Sequence, residues 1–290
     1  MSLRKTVSDP LFAGLRYCAR RLGRMPAFRR WVRAHSQAQP VTHTAQTFSL
    51  ENWPAEAPAL RIALLSDFHF GAHSDDLTRF EKIVKITNAQ EPDVILLLGD
   101  FLNTPHFGSD NIDAQTIAHI LGPLAAPLGV WAVLGNHDWR HDGAGIWAAL
   151  QDQNIQVLEN EAATLEYAGH LVSLVGMGDF GTRPTDWNSA LADVSPQAAM
   201  VVMAHDPASF ASMPARDGIM FSGHTHGGQV RLPFFGALVN SSKSPLSWSY
   251  GHVELNKKQL FVTRGLGTSI LPIRFNCPPE VCLITLDGKT

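Results

Sequence analysis

Apolar runs of strand length, each ending in a cluster of polar side chains, alternate along this chain with amphipathic segments of helical period. Residues 60–65 lead into Ser66-Asp-Phe-His69, 94–98 into Gly99-Asp100, and 130–134 into Gly135-Asn-His-Asp138. Later, 199–203 lead into Ala204-His-Asp206, and 219–221 into Ser222-Gly-His-Thr-His-Gly-Gly228. Between the early runs, Leu77, Phe80, Ile83, Val84 and Ile86 form an apolar stripe that predicts a helix over 77–89. Helices are also expected at about 111–121 and over 146–151, and strands at 171–175, 260–263 and 281–286. The stretch from Gly251 to Leu286 reads as mainly β, closed by a turn at Asp287-Gly288. Strands separated by helices imply an α/β fold with a largely parallel sheet covered on both faces. Ligands of such sheets collect beyond the carboxyl ends of the strands, and all five polar segments stand at such ends.

Charge divides the chain into regions that composition alone would hide. Residues 1–35 carry nine Lys or Arg against the single acid Asp9, a charge of +8 in a chain of net −3. The remainder is therefore −11, which argues against a long nucleic acid as partner. Within the arm, Leu11, Leu15, Cys18, Leu22 and Met25 recur at helical spacing after Asp9-Pro10, a good N-cap and first-turn pair. Arg16, Arg20 and Arg24 fall on another face, an arrangement suited to an anionic membrane surface. The alternatives are a frayed basic terminus, or a basic helix packed on the body with its arginines solvated. Residues 36–58, polar and broken by Pro40, Pro54 and Pro58, read as a linker, and 59–290 as the catalytic body. No apolar stretch reaches the roughly 18 residues of a membrane span. Three cysteines without CxxC spacing fit a reduced, cytoplasmic setting, and no apolar segment follows the paired arginines to make an export signal.

The polar segments are rich in ligands for divalent cations. In extended backbone, residues i and i+2 point the same way, so Asp67 with His69 can pinch one ion, and His224 with His226 can face one site from a single strand end. Asp100 stands at the end of a buried strand, where its carboxylate can bridge two cations about 3.5–4 Å apart. Each segment alone has an ordinary reading, since Gly-Asp and Gly-Asn end many strands as turns and a single His is usually structural. Their joint occurrence at strand ends is the signal. Imidazole, carboxylate and amide donors without thiolate suit Mn²⁺, Fe²⁺ or Zn²⁺ better than Mg²⁺.

The ordered set Asp67-x-His69, Gly99-Asp100, Gly135-Asn-His-Asp138, His205 and Gly223-His-Thr-His226 resembles the calcineurin-like metallophosphoesterases, from about residue 60 to 286. The resemblance implies a four-layer α/β/β/α sandwich with a dimetal site at the carboxyl ends of the strands. It implies that Asp67, His69 and His226 hold one metal, that Asn136, His205 and His224 hold a second, and that Asp100 bridges them. His137 would sit near the leaving group as proton donor. The tail Val262-Thr-Arg-Gly-Leu-Gly-Thr-Ser269 and Leu271-Pro-Ile-Arg-Phe-Asn-Cys-Pro-Pro-Glu280 is similar to a bacterial subgroup of membrane-associated phosphoesterases that includes UDP-diacylglucosamine hydrolases. Phosphoprotein phosphatases carry an arginine shortly after the Gly-Asp pair to grip a phosphomonoester. Here Gly99-Asp-Phe-Leu-Asn103 has none.

The leading expectation is hydrolysis of a phosphodiester or pyrophosphate bond in a membrane-proximal substrate, on the inner face of the cell membrane. A soluble nucleotide or cyclic-nucleotide phosphodiesterase or nuclease, and a metal-binding scaffold without turnover, are the competing readings. His137 favours an enzyme over a scaffold. Arg264 and Arg274 are open between phosphate contacts and structural ion pairs, and Asp138 and Asp206 between orienting a histidine and capping a turn. His73, His106, His141 and His252 read as structural or surface residues.

Overall fold

Six strands form the first sheet: β1 (Thr42–Leu50), β2 (Leu60–Leu65), β3 (Val94–Leu97), β4 (Val130–Ala132), β5 (Ile155–Val157) and the late β14 (Glu280–Gly288). Their spatial order is β1-β14-β2-β3-β4-β5, parallel throughout except where β14 meets β2. The second sheet holds β6 (Glu161–Tyr167), β7 (His170–Gly176), β8 (Ala199–Met203), β9 (Ile219–Ser222), β12 (Gly251–Leu255) and β13 (Lys258–Val262), in the order β12-β13-β9-β8-β7-β6. A two-stranded ribbon, β10 (Arg231–Leu232) with β11 (Gly236–Ala237), projects between β9 and β12 in sequence. The computed structural model describes residues 39–288 other than 55, 74, 104–111, 257, 270 and 271, together with Met25 and Ala27. The arm expected over 1–35 therefore lies, but for those two residues, outside the described residues, as does His106.

The layers follow from alternation along each strand. In β2, Ala63 and Leu65 face a cluster with Phe80 and Ile83 of helix α1 (Asp76–Asn88), Ile117 and Leu121 of α2 (Ala114–Leu121), and Ile146 and Leu150 of α4 (Gly143–Asp152). Ile62 and Leu64, on the opposite face, pack with Val172, Val201, Phe221 and Phe261 of the second sheet. Val202, Met220 and Val262 turn to an outer cluster with Phe210, Met213 and Ala190, supplied by the 3₁₀ turn Pro207–Ser212 and the short α5 (Trp187–Ala190). The order is α/β/β/α, with a thin outer layer on the second sheet. Burial on both faces is why the central strands read as continuous apolar runs.

Register then aligns the functional loops. Ile62 pairs with Val94, Ile95 with Val130, and Val130 with Ile155, so the carboxyl ends of β2, β3 and β4 come out level. Val201 pairs with Ile219, which does the same for β8 and β9. The pairing runs on past the strands, with His69 N–H on Asp100 O at 2.9 Å and Gly223 N–H on His205 O at 3.0 Å. The two sheets are tied at this edge by Leu266 N–H on Ser66 O at 2.9 Å.

Three expectations are corrected. Part of the stretch expected as a linker, 36–58, is strand β1, paired in parallel with β14 from Thr42 opposite Glu280 onward. It is an edge strand that buries only Phe48 and Leu50, so its sequence is polar enough to resemble a linker. The turn expected at Asp287-Gly288 is instead the end of β14, held by Ser49 Oγ–H on Asp287 Oδ1 at 2.6 Å. The helix expected from 111 begins at Ala114, because Asp113 accepts the Thr116 N–H at 2.8 Å and caps it. Among the described residues no helix is long and apolar enough to cross a membrane.

Candidate metal centre

Five polar residues at the strand ends adopt left-handed backbone: Asp67 (φ 53°), His69 (45°), Asp100 (55°), His224 (65°) and His226 (52°). For a residue with a Cβ that conformation costs roughly 1–2 kcal/mol. Such strain persists where surrounding bonds over-determine the backbone, and it collects at functional sites. Here it turns five side chains out of the strand direction into one buried space.

The convergence is tight. His69 Nε2 lies 3.1 Å from His226 Nε2 and 3.6 Å from Asp100 Oδ2, while His226 Nε2 lies 3.4 Å from Asp67 Oδ1. On the other side of Asp100, His205 Nε2 approaches Oδ2 at 3.1 Å, and His224 Nδ1 lies 3.1 Å from His205 Nε2. Three groups result whose donor atoms all fall within 4.8 Å of one another: Asp67, His69 and His226; His69, Asp100 and His137; Asp100, His205 and His224. Asp100 and His69 belong to more than one group, so the clusters share a centre. Six of the seven residues expected as ligands meet in these groups, and Asn136 opens α3 (Asn136–His141) next to His137, whose N–H meets Asp100.

The donor set fits divalent cations. Asn136 is buried, yet among the described residues its Oδ1 has no hydrogen-bond partner, an orphan of the kind that a metal or ligand would satisfy. His205 Nδ1 donates to the carbonyl of Leu98 at 2.7 Å, which places a proton on Nδ1 and turns Nε2 toward Asp100 as the atom that could ligate a cation. Burial pushes the Asp67 carboxyl up to about 6. Burial would also raise Asp100, but His205, His137 and His69 together hold it well below the usual carboxylate range. His205 is the reciprocal case: burial lowers it, but the Asp100 carboxylate outweighs burial and raises it well above the usual histidine range, so a cation bound there would have to displace a proton from Nε2. Burial lowers His69 and His226 well below the usual histidine range, so both stay neutral as ligands must.

His137 stands in the middle of these groups, beside both His69 and Asp100. Its backbone N–H donates to Asp100 Oδ1 at 2.8 Å, and its ring meets the His69 ring edge-on at 4.6 Å. Burial lowers its pKa to about 4.

The supporting residues settle the readings left open by the sequence. Asp138 accepts from the N–H groups of Asp100, Leu102 and Gly135, each at 2.9 Å, so it fixes the Asp100 loop and caps α3. Asp206 caps the turn at Pro207 through the Ala208 N–H and also lies 3.6 Å from His224 Nε2. Arg264 is committed to Glu280, with Nε on Oε2 at 2.9 Å. Arg274 is buried and donates to the carbonyls of Arg264 at 2.8 Å and Gly267 at 2.6 Å, clasping the loop behind His226. His73 is buried against Thr268 Oγ1 at 3.0 Å, and His252 packs on Phe48 at 5.0 Å, away from the centre. Ser66 and Ser242 escaped the sequence reading, although Ser66 Oγ–H holds Asp67 Oδ2 at 2.7 Å and Ser242 holds Asp206. The adjacency of Ser66 to Asp67 was a signal for the first; nothing local marks the second.

Comparison with known proteins adds a family match over residues 60–228, to the model described as calcineurin-like phosphoesterase. A phosphodiesterase of Escherichia coli, YaeI, is 31% identical, over 79% of this chain and 83% of that protein. The UDP-2,3-diacylglucosamine pyrophosphatase LpxG of Chlamydia trachomatis is 26% identical, over 88% of this chain and 92% of that protein. The metallophosphoesterase YkuE of Bacillus subtilis is also 26% identical, over 85% of each chain.

Proposed function

Because this chain belongs to the calcineurin-like phosphoesterase family and is a metallophosphoesterase, we propose that it hydrolyses a phosphodiester or pyrophosphate bond in a lipid-linked or otherwise membrane-proximal substrate. The observation that carries the reading is the set of three donor groups joined through His69 and Asp100. On this reading Asp67, His69 and His226 would hold one divalent cation, His205, His224 and the neighbouring Asn136 would hold the other, and Asp100 would be shared between them. Mn²⁺ is the proposed ion, with Fe²⁺ and Zn²⁺ as the alternatives the same donors accept. Two bound cations supply a water of lowered pKa and neutralise charge on the phosphoryl oxygens.

The chain's own residues supply position and protons. Asp138 holds the Asp100 loop through three N–H groups, and the His205 Nδ1 bond to Leu98 fixes that ring's orientation. His137 is assigned as the proton donor to the leaving oxygen. Burial keeps its ring neutral in the resting site, and an anionic phosphate beside it favours the protonated form.

Two observations favour a diester or pyrophosphate over a phosphomonoester. No arginine stands in Gly99-Asp-Phe-Leu-Asn103, and Arg264 and Arg274 are engaged with Glu280 and with backbone carbonyls. The named relatives include a pyrophosphatase of a diacylated nucleotide sugar and a phosphodiesterase. The +8 segment 1–35 supports a peripheral place on the inner face of the cell membrane. The test is full-length protein with Mn²⁺, given bis(p-nitrophenyl) phosphate, p-nitrophenyl phosphate and UDP-diacylglucosamine. Higher kcat/KM on the diester and the lipid pyrophosphate is expected. Preference for the monoester overturns the bond assignment, and turnover of the soluble diester alone points to a soluble nucleotide-type substrate.

A further inference from the structure

The β10–β11 ribbon turns its apolar side chains outward. Phe234 and Phe235 make its tip and are 105% and 79% exposed, and Leu232, Leu238 and Phe275 are exposed beside them. Phe275 is joined to the ribbon by its carbonyl, which accepts the Arg231 N–H at 2.9 Å. Single exposed hydrophobics are ordinary, but five grouped on one projection mark a contact surface. Phe234 carries a second anomaly, a φ of 66°, left-handed backbone that glycine or asparagine adopts far more readily. The side chain recovers none of that cost by packing, since it lies wholly in solvent.

Charge identifies the occupant. Residues 218–279 contain six Lys or Arg and one acid, Glu254, whereas residues 36–217 contain seven Lys or Arg and 22 acids. Arg231 and Lys243 flank the tip in sequence, and no acid occurs between Asp217 and Glu254. An apolar projection free of acids, on an otherwise acidic body, matches an anionic lipid surface. Its convexity also suits a fluid bilayer, because a folded protein would need a matching pocket. The ribbon begins just after His226, and Ala237 backs on Gly228 so closely that a Cβ there would stand 2.4 Å from it.

We propose that the ribbon tip is an interfacial membrane anchor, in which Phe234 and Phe235, with Leu232, Leu238 and Phe275 around them, enter an anionic bilayer and hold the His224–His226 loop at the lipid surface. This anchor is separate from the segment 1–35. It does not depend on which phosphate bond is cut, because binding is read without turnover.

The test is co-sedimentation of the full-length protein with phosphatidylglycerol–phosphatidylcholine vesicles in about 0.5 M NaCl, where attraction from the basic segment is screened within a few ångströms while apolar insertion persists. The double variant Phe234→Asn/Phe235→Ser is expected to lose at least about tenfold in vesicle partition. Its thermal midpoint is expected to stay at or above that of the parent, since asparagine suits the left-handed position. The variant Phe234→Leu/Phe235→Leu keeps the apolar tip and is expected to bind within a few-fold of the parent. Equal partition by parent and Asn/Ser variant overturns the proposal, as does failure of the Leu/Leu variant to bind. A change from oligomer to monomer in the Asn/Ser variant, seen by light scattering with partition unchanged, reassigns the tip to a second copy of the chain and also overturns it.

Discussion

Asn136 and His137 are neighbours in sequence with opposite demands on their surroundings. The Asn136 amide oxygen is buried without a hydrogen-bond partner, a cost of about 1–3 kcal/mol that a cation would remove. His137 is tied by its backbone to Asp100, which leaves its ring free of any ligand duty in the proposed scheme. Substitution should separate the two. Asn136→Ala is expected to lower metal content, read by elemental analysis, from two ions per chain toward one. His137→Ala should keep both ions while kcat falls by about 10²–10⁴-fold, the usual range for a lost general acid. Full activity in His137→Ala would remove that residue from the reaction, and unchanged metal content in Asn136→Ala would remove the amide from the ligand set.

At the level of elements, the centre depends on loops that start the moment a strand ends. Gly223, between β9 and His224, is the clearest case, because a Cβ there would stand 1.9 Å from Ser66 Oγ and 2.4 Å from Asp67 Oδ2. Gly223→Ala is therefore expected to displace Asp67, lowering the thermal midpoint and weakening metal binding, with a cost of about 1–3 kcal/mol typical of overpacking. An unchanged midpoint would show that the loop can yield. The same elements show what the sequence makes legible. Strands β3 and β8 stand out because burial on both faces makes them wholly apolar, β2 and β9 are nearly so but for Arg61 and Ser222, and the metal-seeking residues stand out because each follows one of these strands or β4. Strand β1 does not, since an edge position lets Thr42–Gln46 remain partly or wholly exposed and polar. Arg264 and Arg274 could not be placed from sequence either. Their partners, Glu280 and the carbonyls of the loop behind His226, are brought to them by chain segments whose approach local patterning does not encode.

For the whole molecule, the site lies on the seam between two sheets, so ions bound there act as a clasp. Protein with both sites filled at about 100 times the dissociation constant gains roughly 2.7 kcal/mol per independent ion. Chelation is thus expected to lower the melting temperature by several degrees, read by calorimetry before and after metal is restored. A midpoint insensitive to chelator would mean the sheets are fixed without the ions. One further consequence concerns time rather than energy. Strand β14, residues 280–288, lies between β1 and β2, among the earliest strands to be made. During synthesis the first sheet stays open along that line until residues 280–288 have left the ribosome. Glu280, which holds Arg264 beside the metal-site loops, arrives with the same strand. The support behind the centre is therefore completed only once β14 has been made, and a product truncated before it would lack both the strand that joins β1 to β2 and the partner of Arg264.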